Sequence, residues 1–404
     1  MKEPKIRFKG FEGEWETRHV GELCDVLTGF PFEGSKILPK GKELLMRGIN
    51  ITEGFIRHSE DIDRYYDEDS SMLSKYRLQE NDLVIGMDGS KVGKNSALVT
   101  KKEVNSLLVQ RVARLRNNNP HLIHLIQISL GSEKFFEYVD SMKTSSAIPH
   151  ISPSDIKNFV VSISVNDDET KLVSDYFQHL DSLIQSTTKK IESLKQVKAA
   201  SLQSMFPQEG KTTPRVRFKG FEGEWEKMSF GRLGSVAMCK RIFKDQTQEK
   251  GDVPFFKIGT FGMVPDAYIS KEIYEEYKSK FSFPQKGNIL ISAAGTIGRT
   301  VQYNGEDAYF QDSNIVWLKH GNEIDDTFLK YIYSIVKWNG LEGATIKRLY
   351  NNIILETEFL LPSVEEQRAI ASYFTTLDRQ ITLQTQRLEK LKQIKAACLD
   401  KMFV

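Results

Sequence analysis

The chain has 404 residues, of which 40% are hydrophobic and 27% are charged, and its formal net charge is +2. This length exceeds what one hydrophobic core usually organises, so two or more domains are expected. The near balance of charge excludes a chain that is basic throughout, so any surface for nucleic acid must be local.

Cysteine spacing and the N-terminus bear on the cellular compartment. Cys24, Cys239 and Cys398 lie far apart with no C-x-x-C spacing, which argues against a disulfide framework and a zinc site. The opening MKEPKIRFKG lacks the apolar run of a signal peptide, and no segment approaches the length that spans a bilayer. A chain of a reducing cytoplasm is therefore expected.

A basic, aromatic and glycine-rich segment opens the chain and recurs after its midpoint. Residues 5–16 read KIRFKGFEGEWE and residues 215–226 read RVRFKGFEGEWE. This recurrence indicates a tandem duplication of about two hundred residues. A polar stretch with Pro and Gly at residues 207–214 joins the repeats and is predicted to be a linker.

The middle of each repeat is predicted to be mixed α/β with short strands. Residues 81–86 (NDLVIG) and 287–292 (GNILIS) are brief apolar strands that follow a polar turn. A loop that is bracketed by glycines and ends on a cation follows each of them, at residues 89–94 and 295–299. Such loops suit close approach to a phosphate backbone, although plain strand connections with solvated cations have the same composition.

Two other pairs of segments correspond between the repeats. Residues 45–50 and 255–260 are apolar residues followed by a cation, and residues 144–151 and 343–349 are small and polar before an isoleucine. They are interpreted as further loops that approach a phosphate backbone, with the same plain alternative.

Each repeat ends in a long amphipathic helix, predicted at residues 180–206 and 377–403. Apolar residues recur in steps of three and four, and neither segment contains Gly or Pro. Two matching stripes in one chain suggest that each helix pairs with the other, as rods of roughly 40 Å. The alternative is two similar but separate core helices. The stripes contain Ile184, Ile191, Leu194, Val197, Leu202 and Met205 in the first helix, and Ile381, Leu388, Leu391, Ile394, Leu399 and Met402 in the second.

The segment before the second helix carries a start signal. Pro362 precedes Ser363, and Glu366 follows three residues later, which is the capping-box pattern. Residues 164–167 (SVND) are a weaker form of this signal in the first repeat.

Motifs of catalysis are not convincing in this sequence. The loop GSKVGKN at residues 89–95 has the wrong glycine spacing for a nucleotide-binding loop, with Asn95 in place of the Ser or Thr that holds magnesium. The Glu-x-Lys at residues 276–278 formally fits a nuclease pattern. It lies, however, within residues 271–280, which are typical of the charged face of a helix. His121 and His124 share a helical face with no third ligand nearby, so they are interpreted as surface or core histidines. The sequence therefore favours a protein that binds rather than catalyses.

The layout of the chain resembles the DNA-specificity subunit of type I restriction-modification enzymes. The resemblance covers the whole chain, as a variable globular region and a helix with an L-K-Q-x-K-A-A-x-L-x-x-M-F ending, repeated once. Its most specific parts are the helix ends at residues 194–206 and 391–403, the PSVEEQ entry at residues 362–367 and the repeated segment at residues 7–16.

The resemblance implies an α+β fold, with two pseudo-symmetric mixed α/β target recognition domains separated by two long antiparallel helices that form a coiled coil. The expected boundaries are residues 1–163 and 215–362 for the recognition domains, and residues 164–206 and 363–404 for the helices. Each domain would read one half of a bipartite, asymmetric double-stranded DNA target. The helices would set the spacer between the halves and dock two methylation subunits.

The resemblance also implies where chemistry occurs. The chain would perform none and bind no cofactor or metal, because S-adenosylmethionine, ATP and Mg would lie on the methylation subunits and on the restriction and translocation subunits that join through them. Two alternatives are a coiled-coil interaction scaffold without DNA and an enzyme with an unrecognised site.

The cation-ended loops predict which residues lie near DNA. Loss of a base-reading Arg would relax one half-site, whereas loss of a phosphate-contacting Lys would weaken binding to all sequences. The predicted residues are Arg47, Lys91, Lys94, Lys143 and His150 in the first repeat, and Lys257, Arg299, Lys347 and Arg348 in the second.

Overall fold

The computed structural model describes residues 3–89, 92–142, 150–338 and 348–403. They form two compact units, unit 1 (Met1–Thr188 with Arg387–Val404) and unit 2 (Lys189–Gln386). The units differ from the sequence repeats because each long helix begins in one unit and ends in the other. Within the described ranges, no helix has both the length and the apolar character needed to cross a membrane.

Unit 1 consists of short strands and short helices, together with parts of both long helices. Its strands are β1 (Glu16–His19), β2 (Asp25–Thr28), β3 (Glu43–Met46), β4 (Tyr65–Tyr66), β5 (Leu83–Gly86), β6 (Ser96–Leu98), β7 (Leu107–Leu108), β8 (Val112–Arg116) and β9 (Val160–Ile163). Its helices are α1 (Val20–Leu23), α2 (Pro120–Leu130), α3 (Glu133–Ser141), α4 (Pro153–Asn158), the first part of α5 (Asp167–Met205) and the last part of the second long helix, from Arg387.

Unit 2 has the same plan. Its strands are β10 (Glu226–Ser229), β11 (Gly234–Ala237), β12 (Val253–Phe256), β13 (Tyr268–Ile269), β14 (Ile289–Ser292), β15 (Thr300–Gln302), β16 (Tyr309–Phe310), β17 (Ile315–His320) and β18 (Glu358–Leu361). Its helices are α6 (Phe230–Leu233), α7 (Lys271–Lys280), α8 (Asp326–Ile335), α9 (Asn351–Glu356), the first part of α10 (Val364–Met402) and the last part of α5, from Lys189. The charged segment at residues 271–280 is thus confirmed as a helix.

The strands pair in the same order in both units. Unit 1 has an antiparallel sheet in the order β2-β8-β5-β6, a sheet in the order β4-β3-β7 and the pair β1-β9. Unit 2 has the orders β11-β17-β14-β15, β13-β12-β16 and β10-β18. In each three-stranded sheet, the central strand runs parallel to one neighbour and antiparallel to the other. The mixed α/β duplication is therefore confirmed, and it includes the central region of each repeat.

The two strands predicted from apolar runs lie at the centre of each unit. Every residue of β5 and of β14 is buried, as expected for a strand that is covered on both faces. The turn before each strand contains a backbone position in the left-handed region, at Asn81 (φ 69°) and Gly287 (φ 104°). Asn and Gly adopt this conformation more readily than other residues, so the polar turn fixes where the strand begins.

His124 lies inside unit 1 rather than at its surface. It is 4% exposed on α2, and its Nδ1 lies 3.1 Å from the Ser174 hydroxyl oxygen. Burial lowers the pKa of His124 to about 4, so the ring is neutral at physiological pH. Of the two interpretations made from the sequence, the core histidine is confirmed for this residue.

A buried ion pair joins the opening segment of each repeat to the start of the long helix. In unit 1, Arg7 Nε and Nη2 donate to the two oxygens of Glu169, at 2.6 and 2.9 Å, and the Glu169 side chain is fully buried. The Trp15 Nε1 and the Ser164 hydroxyl also donate to this carboxylate, at 3.1 and 2.5 Å. Bidentate geometry and full hydrogen bonding are the conditions under which a buried charge is stable.

The same pair recurs in unit 2 and revises the predicted capping box. Ser363 Oγ accepts a hydrogen bond from the Glu366 backbone N–H at 3.4 Å, as a helix cap does. The Glu366 carboxylate, however, binds Arg217 Nε and Nη2, both at 2.7 Å. A guanidinium offers this carboxylate two charge-assisted hydrogen bonds, which are stronger than one bond to a backbone N–H.

Candidate functional site

Four segments meet at the same end of the four-stranded sheet in each unit. They are the β3–β4 or β12–β13 connection, which we call the hairpin loop, the segment after β5 or β14, which we call the glycine loop, the connection that leads into β8 or β17, and residues 150–151 or 348–349. The described part of the glycine loops is residues 87–89, 92–95 and 293–299. In unit 1, Met87 N donates to Arg111 O at 3.0 Å and Ile151 N donates to Met87 O at 2.9 Å. In unit 2, Ala293 N donates to Asn314 O at 2.7 Å and Leu349 N donates to Ala293 O at 2.8 Å. Of the segments matched by sequence, those that follow β5 and β14 therefore contact residues 151 and 349, whereas residues 144–149 and 343–347 lie outside the described part of the chain.

In unit 2, three predicted cations lie on these segments. Arg299 Nη1, on the glycine loop, donates to Phe261 O of the hairpin loop at 3.0 Å. Lys257 Nζ lies 2.9 Å from Asp266 Oδ1 within the hairpin loop. Arg348 Nη2 donates to Ser313 O at 2.8 Å, in the β16–β17 connection. These three side chains are half-buried and are held in place by the loops that they join.

In unit 1, the predicted cations differ in exposure. Lys94 is exposed, with its Nζ 4.5 Å from the centre of the Phe136 ring, and His150 is exposed on the segment that bridges to Asp88. Arg47 is half-buried, its Nη2 donates to Ile62 O at 2.6 Å, and burial lowers its pKa. Arg47 therefore supports the hairpin loop from inside. Three of the predicted residues, Lys91, Lys143 and Lys347, lie outside the described residues.

Within each unit, the two long helices pack antiparallel. In unit 1, Lys395 Nζ donates to Asp181, and the Tyr176 hydroxyl lies 3.5 Å from Cys398 Sγ. In unit 2, Lys198 Nζ donates to Asp378 and the Ser201 and Tyr373 hydroxyls are 2.9 Å apart. Residue numbers rise along one helix as they fall along the other, as in an antiparallel pair.

The inward side of each helix follows a heptad repeat. The residues that are buried or half-buried on this side are spaced by four and three positions in turn, which is the period of a coiled-coil seam. These residues are Leu180, Ile184, Thr187, Ile191, Leu194, Lys198, Ser201 and Met205 on α5, and Leu377, Ile381, Gln384, Leu388, Leu391, Lys395, Cys398 and Met402 on α10.

Two residues predicted to pair the helices are not in this seam. Val197 is 46% exposed and Ile394 is 37% exposed. The heptad phase places Lys198 and Lys395 in the seam instead, where their long apolar stems pack and their ammonium groups reach a carboxylate on the other helix. Leu202 and Leu399 are half-buried beside the seam.

Comparison with protein families identifies the chain. The family described as the type I restriction modification DNA specificity domain matches residues 12–196 and again residues 222–393. The chain belongs to this family.

Its relatives are specificity subunits, and its fold is known. The family member is 52% identical over 159 residues to a putative type I restriction enzyme specificity subunit of Haemophilus influenzae, covering 38% of this chain and 41% of that one. It is 28% identical over 191 residues to the EcoAI specificity subunit of Escherichia coli, covering 46% of this chain and 31% of that one. It thus spans less than half the length of these two relatives.

A solved structure shows the same fold. The S subunit of the type I restriction-modification system of M. genitalium superposes with a TM-score of 0.68 at 18% sequence identity, covering 100% of this chain and 99% of that one. The resemblance inferred from the helix ends is therefore confirmed, and so is the architecture of two sheet-bearing domains with long helices.

Two cations near the loops of this specificity family member were not predicted from its sequence. Arg111 Nη1 donates to Asp88 in the glycine loop at 3.0 Å, and Arg241 Nε donates to Asp312 in the β16–β17 connection at 2.9 Å. Both arginine side chains are 60% exposed. Neither follows a glycine-bracketed loop, so only the fold shows that they lie at the same cluster of loops.

Near the end of α5, unit 2 contains a network of ion pairs and hydrogen bonds. Unit 1 has only part of this network. In unit 2, Asp378 accepts from Lys198, from Lys330 at 3.1 Å and from the Tyr331 hydroxyl at 3.0 Å. Burial alone would raise the pKa of Asp378, but the two lysines outweigh it and the pKa lies below its ordinary value. Its counterpart Asp181 accepts from Lys395.

Alanine at Asp378 should therefore lower the free energy of unfolding by about 1–3 kcal/mol, the cost of leaving charged and polar partners unmatched. The matched variant Asp181→Ala loses one lysine contact at a more exposed carboxylate and should lose less. Urea denaturation of both variants measures the difference, and an equal or larger loss for Asp181→Ala would contradict the role of the network.

Proposed function

We propose that this chain binds double-stranded DNA sequence-specifically, as the specificity subunit of a type I restriction-modification complex. Each unit would read one half of a bipartite target with its loop cluster. The observation that carries the proposal is that one fold occurs twice with the same four segments together, while the side chains on those segments differ. A repeated scaffold with diverged loops suits an asymmetric target of two halves.

The helices have two proposed roles in this complex. Their heptad seam would fix the separation of the two half-sites. Val197 and Ile394 are exposed at equivalent positions, and we propose that they help to dock two copies of a methylation subunit. The restriction subunits would join through those methylation subunits.

Chemistry is assigned to the partners in this proposal. S-adenosylmethionine would bind the methylation subunits, and ATP and Mg would bind the motor subunits, so this chain would be non-catalytic and cytoplasmic like the DNA that it reads. A methylation assay of the chain alone tests this part, and methyl transfer without partner subunits would contradict it.

Loss of single cations tests the DNA interface. Lys94→Ala should weaken binding to every sequence and reduce the salt slope by about 1, whereas Arg299→Ala should relax one half-site by about 1–3 kcal/mol. Lys227→Ala is the matched control, because Lys227 pairs with Glu358 on the β10-β18 pair and its loss changes the charge equally. Competition binding at several salt concentrations measures these effects in the complex with methylation subunits.

Two outcomes would contradict this interface. Equal affinities of all three variants across cognate and altered half-sites would remove the loops from it. Absence of any salt-dependent shift with the unaltered complex would instead favour the interaction scaffold without DNA.

A further inference from the structure

Each hairpin loop exposes two large apolar side chains. Ile49 and Phe55 in unit 1 are 50% and 53% exposed, and Met263 and Val264 in unit 2 are 56% and 82% exposed. Both pairs lie between equivalent strands, β3 and β4 or β12 and β13, in loops whose lengths and sequences differ. An exposed apolar pair thus recurs at one topological position where the two repeats have diverged.

The hairpin loop of unit 2 holds its apolar tip in a fixed conformation. Phe261 is 1% exposed and anchors the loop in the core, and its carbonyl accepts from Arg299 Nη1. Met263 N donates to Thr260 O at 2.9 Å, and Gly262 at φ 75° supplies the left-handed position of the turn. The ion pair of Lys257 with Asp266 ties the two ends of the loop. The tip is therefore pre-organised for binding rather than collapsed onto the core.

The hairpin loop of unit 1 is fixed by other bonds. Thr52 N and its hydroxyl both donate to Phe55 O, at 3.0 and 2.6 Å, and Gly54 N donates to Ser96 O at 2.9 Å. Ile49 O accepts from Arg57 Nε at 2.8 Å. Different sequences thus produce the same outcome, a rigid loop with two apolar side chains at its surface.

Cations lie in the same loop clusters as both apolar pairs. Phe55 and Lys94 line one open cleft of about 770 Å³ in unit 1. In unit 2, Lys257 and Arg299 bond to the loop that carries Met263 and Val264. Apolar atoms flanked by cations match the major groove of duplex DNA, where thymine presents its C5-methyl group between phosphate backbones.

We propose that these apolar pairs contact thymine C5-methyl groups and so help to determine the sequence read in each half-site. The inference rests on the DNA-binding function proposed above and adds the kind of base contact. The assigned residues are Ile49 and Phe55 for one half-site and Met263 and Val264 for the other.

Uracil substitution tests this contact, because uracil differs from thymine only in lacking that methyl group. Once the target has been mapped, each thymine of each half-site is replaced singly, and binding by the complex with methylation subunits is measured. At one or more positions per half-site, the unaltered complex should bind about fourfold more weakly, the value expected for one buried methyl group.

The double variants Ile49→Ser with Phe55→Ser and Met263→Ser with Val264→Ser complete the test. Each should bind the cognate duplex more weakly, should lose the uracil effect in its own half-site only, and should keep the salt slope, because no charge is removed. Met263→Leu with Val264→Ile should retain the uracil effect. Thermal unfolding and assembly with methylation subunits should not change, since the side chains are exposed.

Several outcomes would overturn the inference. They are a half-site made only of G·C pairs, no uracil effect at any position, cognate affinity that is unchanged in the serine variants, and loss of methylation-subunit assembly, which would assign the pair to a protein interface. If the unaltered complex showed no preference for its mapped target over a scrambled duplex, the proposed function itself would fail before any variant was tested.

Discussion

Alanine at Arg7 should lower the free energy of unfolding of unit 1 by about 3–5 kcal/mol, because a buried carboxylate would lose its cation. Arg7 is the bidentate partner of Glu169, whose side chain is fully buried at the start of α5. The residue also fixes its own segment, since Nη1 donates to the Gly13 carbonyl. Loss of this guanidinium would therefore loosen both the opening segment and the start of the helix.

Denaturation with urea measures the effect, and two controls define its cause. Arg18→Ala removes an arginine from an exposed pair with Glu22 and should change stability much less. Arg7→Met combined with Glu169→Gln should recover much of the loss, because no charge then remains buried. A loss in the double variant as large as that in Arg7→Ala would show that packing, and not the unpaired charge, dominates.

The effect of Arg7→Ala should also depend on pH. Burial alone would raise the pKa of Glu169, but hydrogen bonds from Arg7, Ser164 and Trp15 outweigh it, and the pKa lies below its ordinary value. A lowered pKa contributes stability above the unfolded-state pKa, and that stability is lost as the pH falls through the folded-state value. The difference in stability between the variant and the unaltered chain should therefore narrow in acid.

Insertion of one heptad into both helices should lengthen the spacer of the DNA target. Seven residues placed after Thr188 and after Thr385 keep the phase of the seam and add about 10 Å of helix. At about 3.4 Å per base pair, the tolerated spacer should grow by about three base pairs. Methylation mapping with the extended chain and its partner subunits measures the spacer directly.

A chain with seven residues inserted in the linker at residues 207–214 is the matched control. It has a longer polypeptide but unchanged helices, so its spacer should be unaltered. If the extended helices also left the spacer unaltered, the helices would not set the distance between half-sites.

The long helices and the duplication could be predicted because each depends on residues that are close in sequence. A hydrophobic period of about 3.5 residues can be recognised within one segment. Identical polar residues in the second copy show that the two segments are not similar by chance. The detail that failed is the position of Val197 and Ile394. Hydrophobicity alone assigned them to the seam, whereas the heptad phase places a lysine there, and its stem packs as an apolar residue does.

The central regions of the two repeats were harder to predict, because the order of strands in their sheets depends on contacts between residues that are distant in sequence. The neighbour of β2 is β8, and the neighbour of β5 is also β8, so no local pattern reveals the four-stranded sheet. The pair of Arg7 with Glu169 links residues 162 positions apart. Its signal was present in the duplication, since Arg217 and Glu366 stand at the equivalent positions, but only the folded chain shows that they meet.

For the candidate DNA site, the sequence indicates the loops more readily than the exposure of their side chains. The glycine loop of unit 2 contacts its hairpin loop through Arg299 Nη1 and the Phe261 carbonyl. Arg47, in contrast, is half-buried beneath its loop, and Arg111 was overlooked because no glycine precedes it. Side-chain exposure follows from tertiary packing, which a loop motif does not contain.

Methylome sequencing of a host with and without this chain tests the central claim most directly. With the chain present, methylated adenines should lie in a target of two specific halves separated by unread bases. Exchange of residues 215–362 for those of a relative should change one half alone. Deletion of the chain should abolish the pattern. Methylation that persists unchanged without this chain, or a target that is continuous, would contradict two readers set apart by paired helices.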